Sequence, residues 1–335
     1  MTREYFSLDK ILPCESQYIT FLERGKGRGM KVLSLFDGIS CGMVALERAG
    51  IKVDRYVAYE IDKYAIQVSK KNYPQIEHKG DVFEVNFKEY KGFDLLIGGS
   101  PCTYWSIAKN NREVTPDGIG GQLFMQYKRA LDESGCKYFL YENNYSIHKN
   151  IKDFISEQLG VQPIMINSAL VSAQNRKRCY WTNIPDISQP EDKKILLNDI
   201  LDNAVGWHDK SYSKVVLYNS LKRNQRTMVA CPVRIGQYGK GGQAQRIYSV
   251  RGKSVTLSAN GGGGGAKTGL YKMDLPDGEY IIRKLTPIEA ERLQTLPDNY
   301  TTGISNTQRY KCIGNGWTVD VIAHIFKHLK DEERN

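Results

Sequence analysis

The sequence contains no C-x-x-C pair, and its seven cysteines, at positions 14, 41, 102, 136, 179, 231 and 312, are an odd number scattered along 335 residues. This spacing excludes a disulfide framework and a zinc cluster, because the five histidines do not group with the cysteines either. No apolar run approaches the ~20 residues needed to cross a bilayer. The start, Met1-Thr2-Arg3-Glu4-Tyr5, lacks the apolar core of a secretion signal. A cytoplasmic protein is expected, with most of its cysteines buried as small apolar side chains.

What is present in excess is positive charge. The net charge is +10, and between Asn203 and Tyr280 twelve Lys or Arg stand against four Asp or Glu, interleaved with aromatic residues and glycine. Such a surplus points to a polyanionic partner. With 41% hydrophobic and 25% charged residues, the chain suffices for a large α/β core with a smaller lobe, or for two modest domains.

From Lys31 onward, short apolar runs alternate with amphipathic stretches. Residues 31–36, 55–60, 93–97, 138–142, 163–168 and 178–183 read as strands, and 41–49, 62–72 and 123–134 as helices. This alternation predicts an α/β fold with a doubly wound parallel sheet. After Pro185 the rhythm breaks into basic, glycine-rich text that culminates in Gly261 to Gly265. Helical periodicity returns at Thr286-Pro287, where Thr286 is suited to an N-cap and Pro287 to the first turn, and a last amphipathic helix spans about 318–329. The expected organisation is an N-terminal extension at 1–29 without assigned role, a first domain at 30–185, an inserted lobe at 186–280, and a C-terminal segment at 281–335 that returns to the first domain.

Two residues stand where such a sheet does chemistry. Gly98-Gly99-Ser100-Pro101-Cys102 follows Leu95-Leu96-Ile97, and Glu142 lies in Tyr141-Glu142-Asn143 at the end of the next strand. Reactive groups of open α/β sheets collect at the carboxyl ends of strands. A thiol there can act as nucleophile, and a carboxylate beside it can manage protons. A ligand site is suggested by Phe36-Asp37-Gly38-Ile39-Ser40-Cys41-Gly42, a glycine-bearing turn between the first strand and first helix. Glu60, ending the next strand, suits a ribose diol, and Asp81, at the end of an expected third strand, suits an adenine amino group. These residues imply an adenosine compound and leave a dinucleotide open.

Taken together, these motifs resemble the cytosine-C5 DNA methyltransferases. F-D-G-x-S-x-G is similar to the family's first motif, and Gly314-Asn315-Gly316-Trp317-Thr318-Val319 to its last, whose tryptophan is shared with animal de novo methyltransferases. The resemblance implies a Rossmann-like class I methyltransferase fold, mostly parallel. It implies S-adenosylmethionine as cofactor, with S-adenosylhomocysteine as product and no metal. Phe36, Asp37, Gly38, Gly42, Glu60, Ile61, Asp81, Val82, Pro101, Asn315 and Trp317 would surround the cofactor. It further implies that Cys102 attacks C6 of a flipped cytosine while Glu142 bonds N3 and the exocyclic amine. In Gln174-Asn175-Arg176-Lys177-Arg178, similar to the family's Q-x-R-x-R, Arg178 would bond the cytosine O2 and orient Glu142, and Arg176 would reach the target nucleotide or its phosphate.

The stretch 103–122 has the length of a loop that closes over the base, with Gly118, Gly120 and Gly121 as hinges, Ile107 and Ala108 near its tip, and Ser106 suited to a phosphate. The lobe at 186–280 fits the family's target-recognition domain. There Gln237, Tyr238, Lys240 and Arg246 would read or contact duplex DNA, and Arg226, Lys253 and Lys267 would contact phosphates. The chain departs from the family at Thr103, where Gln or Asn is usual, and at Asn144, where Val is usual. Alternatives are a tRNA or RNA cytosine-C5 methyltransferase, a catalytically silent DNA-binding regulator, and an oxidoreductase, which would leave Cys102, Glu142 and Arg178 without a task. A monomer from a bacterial or phage restriction-modification setting is expected, with a cognate restriction endonuclease as genetic partner.

Overall fold

The apolar run at 30–35 is buried on both faces because its alternate residues enter two different cores. Val32 joins one hydrophobic cluster, and Leu33 and Leu35 join another. The same division separates Leu140 from Phe139 and Tyr141, and Tyr180 from Cys179 and Trp181. A strand packed on both faces needs no polar side, so its sequence reads as a continuous apolar run.

The computed structural model describes residues 28–106, 111–202, 215–218, 231–259, 269–274, 278 and 280–329. Its elements in chain order are β1 (Met30–Leu35), α1 (Cys41–Ala49), β2 (Val53–Tyr59), α2 (Lys63–Asn72), β3 (Glu77–His78), β4 (Leu95–Gly98), α3 (Ile119–Ser134), β5 (Tyr138–Asn144), α4 (Lys149–Leu159), β6 (Ile164–Asn167) and β7 (Lys177–Thr182). These are followed by β8 (Val215–Leu217), β9 (Arg234–Tyr238), β10 (Arg246–Ser249), β11 (Leu270–Asp274), β12 (Tyr280–Arg283), α5 (Pro287–Leu293), α6 (Asn306–Asn315) and α7 (Val319–Lys327).

The main sheet has the order β3-β2-β1-β4-β5-β7-β6. Pairings from β3 to β5 are parallel, whereas β7 runs antiparallel to both β5 and β6. The sheet is therefore mostly parallel, with one reversed strand. Its reversal follows from chain length, since the 168–176 connection is too short for a crossover, which takes a dozen or more residues. The strand order changes direction between β1 and β4, which makes their carboxyl ends the switch point where ligands bind in such sheets.

The apolar side chains of α1, α2 and α7 enter the first cluster, and those of α3 and α4 the second. The last helix of the described chain thus packs beside the first, with Val319, Ile322, Ile325 and Phe326 fully buried. Three helices end on glycines in the left-handed region, Gly50, Gly135 and Gly160. α3 begins at Ile119, four residues before the sequence suggests, and α4 and α6 were not anticipated. β3 ends at His78, so Asp81 does not close a strand but caps the short turn Val82–Glu84 by accepting from Phe83 N.

A second sheet, β12-β11-β10-β9-β8, forms the lobe, and its last strand extends to Arg283. The lobe is joined to the following helix by a buried ion pair. Glu289 is fully buried and accepts from both terminal nitrogens of Arg283, at 2.6 and 2.8 Å, as well as from Asp202 N and Thr286 N. Thr286 and Glu289 also complete a capping box at the start of α5. Glu289→Ala would leave the Arg283 charge buried without its partner, and a loss of about 3–5 kcal/mol is expected in chemical denaturation at pH 7.

Candidate active site

Cys102 is delivered by a loop that fits only because two of its residues lack side chains. A Cβ on Gly98 would lie 2.7 Å from the Leu35 carbonyl, and one on Gly99 would lie 3.0 Å from both the carbonyl and Oε2 of Glu142. The loop therefore runs against the ends of both neighbouring strands. Ser100 Oγ and the Tyr141 hydroxyl are 2.6 Å apart, and Asn143 Nδ2 donates to Ser100 O and the Tyr141 oxygen. Cys102 itself is half-exposed and opens a short 3-10 turn whose carbonyl accepts from Trp105 N and Ser106 N.

Glu142 comes from β5, and β7 supplies its cationic partner. Register pairs Glu142 with Tyr180 and Asn144 with Arg178, which makes Arg178 the diagonal neighbour of Glu142 on one face. Arg178 Nε lies 2.9 Å from Glu142 Oε1, with 10% and 13% of the two side chains accessible. The other oxygen, Oε2, accepts from the Trp317 indole at 3.1 Å. The carboxylate is thus held from two sides at a largely dry position.

Arg176 corrects an expectation. Its side chain is buried and donates to the carbonyls of Leu257, Gly314 and Gly316 at 3.0–3.1 Å, rather than facing a nucleotide or phosphate. Burial, with the Arg178 charge adding to it, pulls its pKa down to about 9. Lys253, read as a phosphate contact, is also buried. Its Nζ donates to the carbonyls of Ala169, Ser172 and Ile195, so all three protons are used inside the protein. Gln174 and Gln294, to which no role was assigned, complete this interior network: Gln174 bonds Leu293 O and Gln294 Oε1, and Gln294 bonds Ile313 O and Gly316 O. Only the Q-x-R-x-R spacing marked Gln174, and nothing in the sequence marked Gln294.

The residues expected to bind an adenosine compound lie at the switch point. Phe36, Gly38 and Ser40 all adopt positive φ, near 60°, and the turn is fixed by Asp37. Its carboxylate accepts from Ser34 Oγ, Ser40 Oγ and the Tyr56 hydroxyl at 2.5–2.6 Å, and burial raises its pKa. Gly42 packs so closely on β4 that a Cβ would lie 2.4 Å from Ile97. Glu60 Oε2 accepts from Gly38 N at 2.9 Å, and Oε1 from Ile61 N and Asp62 N at 2.8 Å each. Burial raises the pKa of Glu60 while these three donors oppose the shift. Ile61, next to it, is 74% exposed. Val82 is buried, whereas Asp81, Pro101 and Asn315 are exposed. A strained Phe36, an exposed isoleucine and a preset carboxylate fit an apolar ring joined to a diol: four acceptor sites on a carboxylate exceed the three bonds Glu60 makes.

The loop and lobe residues divide differently. Ile107, Ala108, Arg226 and Lys267 lie outside the described residues. Trp105 is fully buried and donates to Glu113 Oε2, which also accepts from Gly120 N. Gly120 and Gly121 lie inside α3, where Cβ atoms would strike Trp105 and the Pro116 carbonyl, so close packing replaces the hinge reading. In the lobe, Gln237 Oε1 accepts from Arg234 and Tyr218, and Tyr238 packs on the Ile247, Leu270 and Ile282 cluster. Lys240 and Arg246 are exposed, with Gly239 and Gly241 at positive φ in the intervening turn.

This strand order, with a thiol and a carboxylate at the carboxyl ends of β4 and β5, defines a class I methyltransferase. The structure of the Entamoeba histolytica methyltransferase EhMeth superimposes with a TM-score of 0.69 at 18% identity, covering 92% of this chain and all of that one. A family model for C-5 cytosine-specific DNA methylases matches residues 30–331, and the chain belongs to that family. It is 31% identical to the type II methyltransferase M.HhaI of Haemophilus parahaemolyticus over 89% of this chain and 93% of that protein. The type II methyltransferase M1.ScrFI of Lactococcus lactis is 29% identical over 92% and 79%. Membership makes the protein a DNA cytosine-C5 methyltransferase and implies S-adenosylmethionine as methyl donor. Among the described residues, no helix is long and apolar enough to cross a membrane, and no group of acidic, histidine or cysteine side chains could hold a metal ion.

Two outcomes follow. Burial pushes the thiols of Cys41 and Cys312 up to about 12 and those of Cys136 and Cys179 to about 11. Iodoacetamide at pH 8 is therefore expected to label the half-exposed Cys102 and Cys231 and to spare these four, as read by peptide mass spectrometry. Lys253→Met is expected to lower stability by roughly 1–3 kcal/mol by leaving buried carbonyls unpaired. The salt dependence of DNA binding should be unchanged in that variant, whereas Lys240→Ala should reduce its slope.

Proposed function

We propose that the protein methylates C5 of a cytosine flipped out of a specific duplex DNA sequence, through a transient bond between Cys102 Sγ and C6. The observation that carries this reading is the Glu142 carboxylate, held by Arg178 at the end of the strand next to the one that delivers Cys102. C5 of cytosine is a poor nucleophile, and addition of a thiolate at C6 converts the ring to an enamine. The electron pair displaced from the C5–C6 bond moves toward N3, where Glu142 shares a proton, and the same carboxyl accepts from the exocyclic amine. Arg178 keeps Glu142 oriented and offers its remaining donors to the cytosine O2. S-adenosylmethionine, when bound, supplies an electrophilic methyl group on sulfonium sulfur. Glu60 would hold its ribose diol, Ile61 and Val82 would line its adenine with Asp81 at the amino group, and Phe36 to Gly42, Pro101, Asn315 and Trp317 would enclose the remainder. After methylation the C5 proton leaves to solvent, the Cys102–C6 bond breaks, and the thiolate is regenerated.

A base stacked in a duplex cannot reach Cys102, so flipping is required, at a cost of a few kcal/mol. We assign sequence reading to the lobe, where Gln237, Lys240 and Arg246 offer amide and cationic groups, and where relatives described as type II methyltransferases set the precedent for a defined target. Incubation with labelled S-adenosylmethionine and mixed-sequence duplex should yield 5-methylcytosine. Cys102→Ser should abolish it, and Glu142→Gln should lower kcat by on the order of 10²-fold or more. Duplex carrying 5-fluorocytosine, whose C5 substituent cannot leave as a proton, should stall as an SDS-resistant adduct. Label on adenine, full activity in Cys102→Ser, or preference for tRNA in direct competition would overturn the proposal.

A further inference from the structure

The catalytic carboxylate is held from two distant parts of the chain. Arg178 approaches Oε1 from the adjacent strand, and Trp317 approaches Oε2 from a position 175 residues downstream. The indole ring occupies a defined place: its Cζ3 lies 3.6 Å from where a Gly42 Cβ would stand, and its Nε1 lies 3.5 Å from where a Gly99 Cβ would stand. It therefore spans the interval between the first turn of α1 and the loop that carries Cys102. The backbone on either side is anchored. Gly316 O accepts from Arg176 and Gln294, while Thr318 Oγ1 donates to Gln294 Oε1 and accepts from Ser168 Oγ. An indole N–H can only donate. Its bond to Glu142 thus strengthens with the negative charge on the carboxylate and weakens when Oε2 takes a proton.

We propose that Trp317 is a positioning residue for Glu142, its indole N–H fixing the orientation of Oε2 so that the carboxyl meets the target base in one geometry. This rests on the reading of Glu142 as the group that bonds N3 and the amine, and it goes beyond a cofactor-lining role for Trp317. It joins two functions in one side chain, because the ring that borders the methyl-donor end of the site also sets the angle of the proton-handling group.

The test uses the full chain labelled with ¹⁵N-tryptophan, which contains four tryptophans. Trp317→Phe identifies the Trp317 indole resonance by its loss. That resonance should move in Glu142→Gln, where the charged acceptor of its N–H is replaced by a neutral one. In steady-state kinetics, Trp317→Phe keeps an apolar ring and is expected to lower kcat by about tenfold, the cost of losing one hydrogen bond to a charged group. Calorimetric affinity for S-adenosylmethionine should change by less than about threefold. Weakened cofactor binding with kcat unchanged would overturn the proposal and leave Trp317 as a cofactor-lining residue. An indole resonance indifferent to Glu142→Gln would overturn it too. Should Trp317→Phe not fold, the indole spectra of the wild type and Glu142→Gln are compared directly: one indole resonance that moves between them is expected, and none moving counts against the role. An active wild type with an insensitive indole refutes the positioning role alone, whereas a wild type that forms no 5-methylcytosine on any duplex refutes the underlying function as well.

Discussion

Arg176 carries a charge into the interior and, among the described residues, forms no ion pair there. Its guanidinium instead meets three main-chain carbonyls, from Leu257 in the lobe and from Gly314 and Gly316 before the last helix. A buried cation left unsatisfied costs several kcal/mol, so these three segments are obliged to converge on it. Gln294 reinforces the same point from the C-terminal cap of α5. Gly314 approaches the lobe so closely that a Cβ would lie 2.5 Å from the Ser258 carbonyl carbon. The lobe, the central sheet and the returning C-terminal segment are thereby held in one arrangement, and Trp317 takes its position from it.

The active site is built by assembling parts that are rigid for separate reasons. β4 and β5 place Cys102 and Glu142 at adjacent strand ends, and the Ser100–Tyr141 contact pins the loop between them. The reversed strand β7 then brings Arg178 diagonally beside Glu142. Had β7 followed the parallel rule of its neighbours, its ends would be exchanged and Arg178, at its start, would lie at the opposite edge of the sheet. The ion pair at the site therefore depends on the short 168–176 connection as much as on the identity of its two residues.

Most of the central sheet was legible because both of its faces are buried, which leaves unmistakable apolar runs such as 95–97 and 138–141. Helices with clear termini were legible for the same local reason, as at Thr286-Pro287 with Glu289. The two helices that escaped lack such signals: α4 is capped by His148, and α6 starts after Ser305 without a side-chain cap bond. Gly120 and Gly121 were misread because a glycine that permits close packing and one that permits bending look identical in sequence.

By itself the sequence determined which reactive groups exist and at which strand ends they fall, since strand periodicity and motif spacing are local properties. It marked Cys102, Glu142 and Glu60 through those properties, and Arg178 through resemblance to a family motif. Only the tertiary structure decided where the long cationic side chains point. Arg176 and Lys253 read as surface contacts because arginine and lysine usually face solvent. They are buried here because main-chain carbonyls from segments distant in sequence converge on them, and no local pattern encodes that convergence. The bond from Trp317 to Glu142 is of the same kind, joining residues whose proximity exists only once the last helix has packed beside the first.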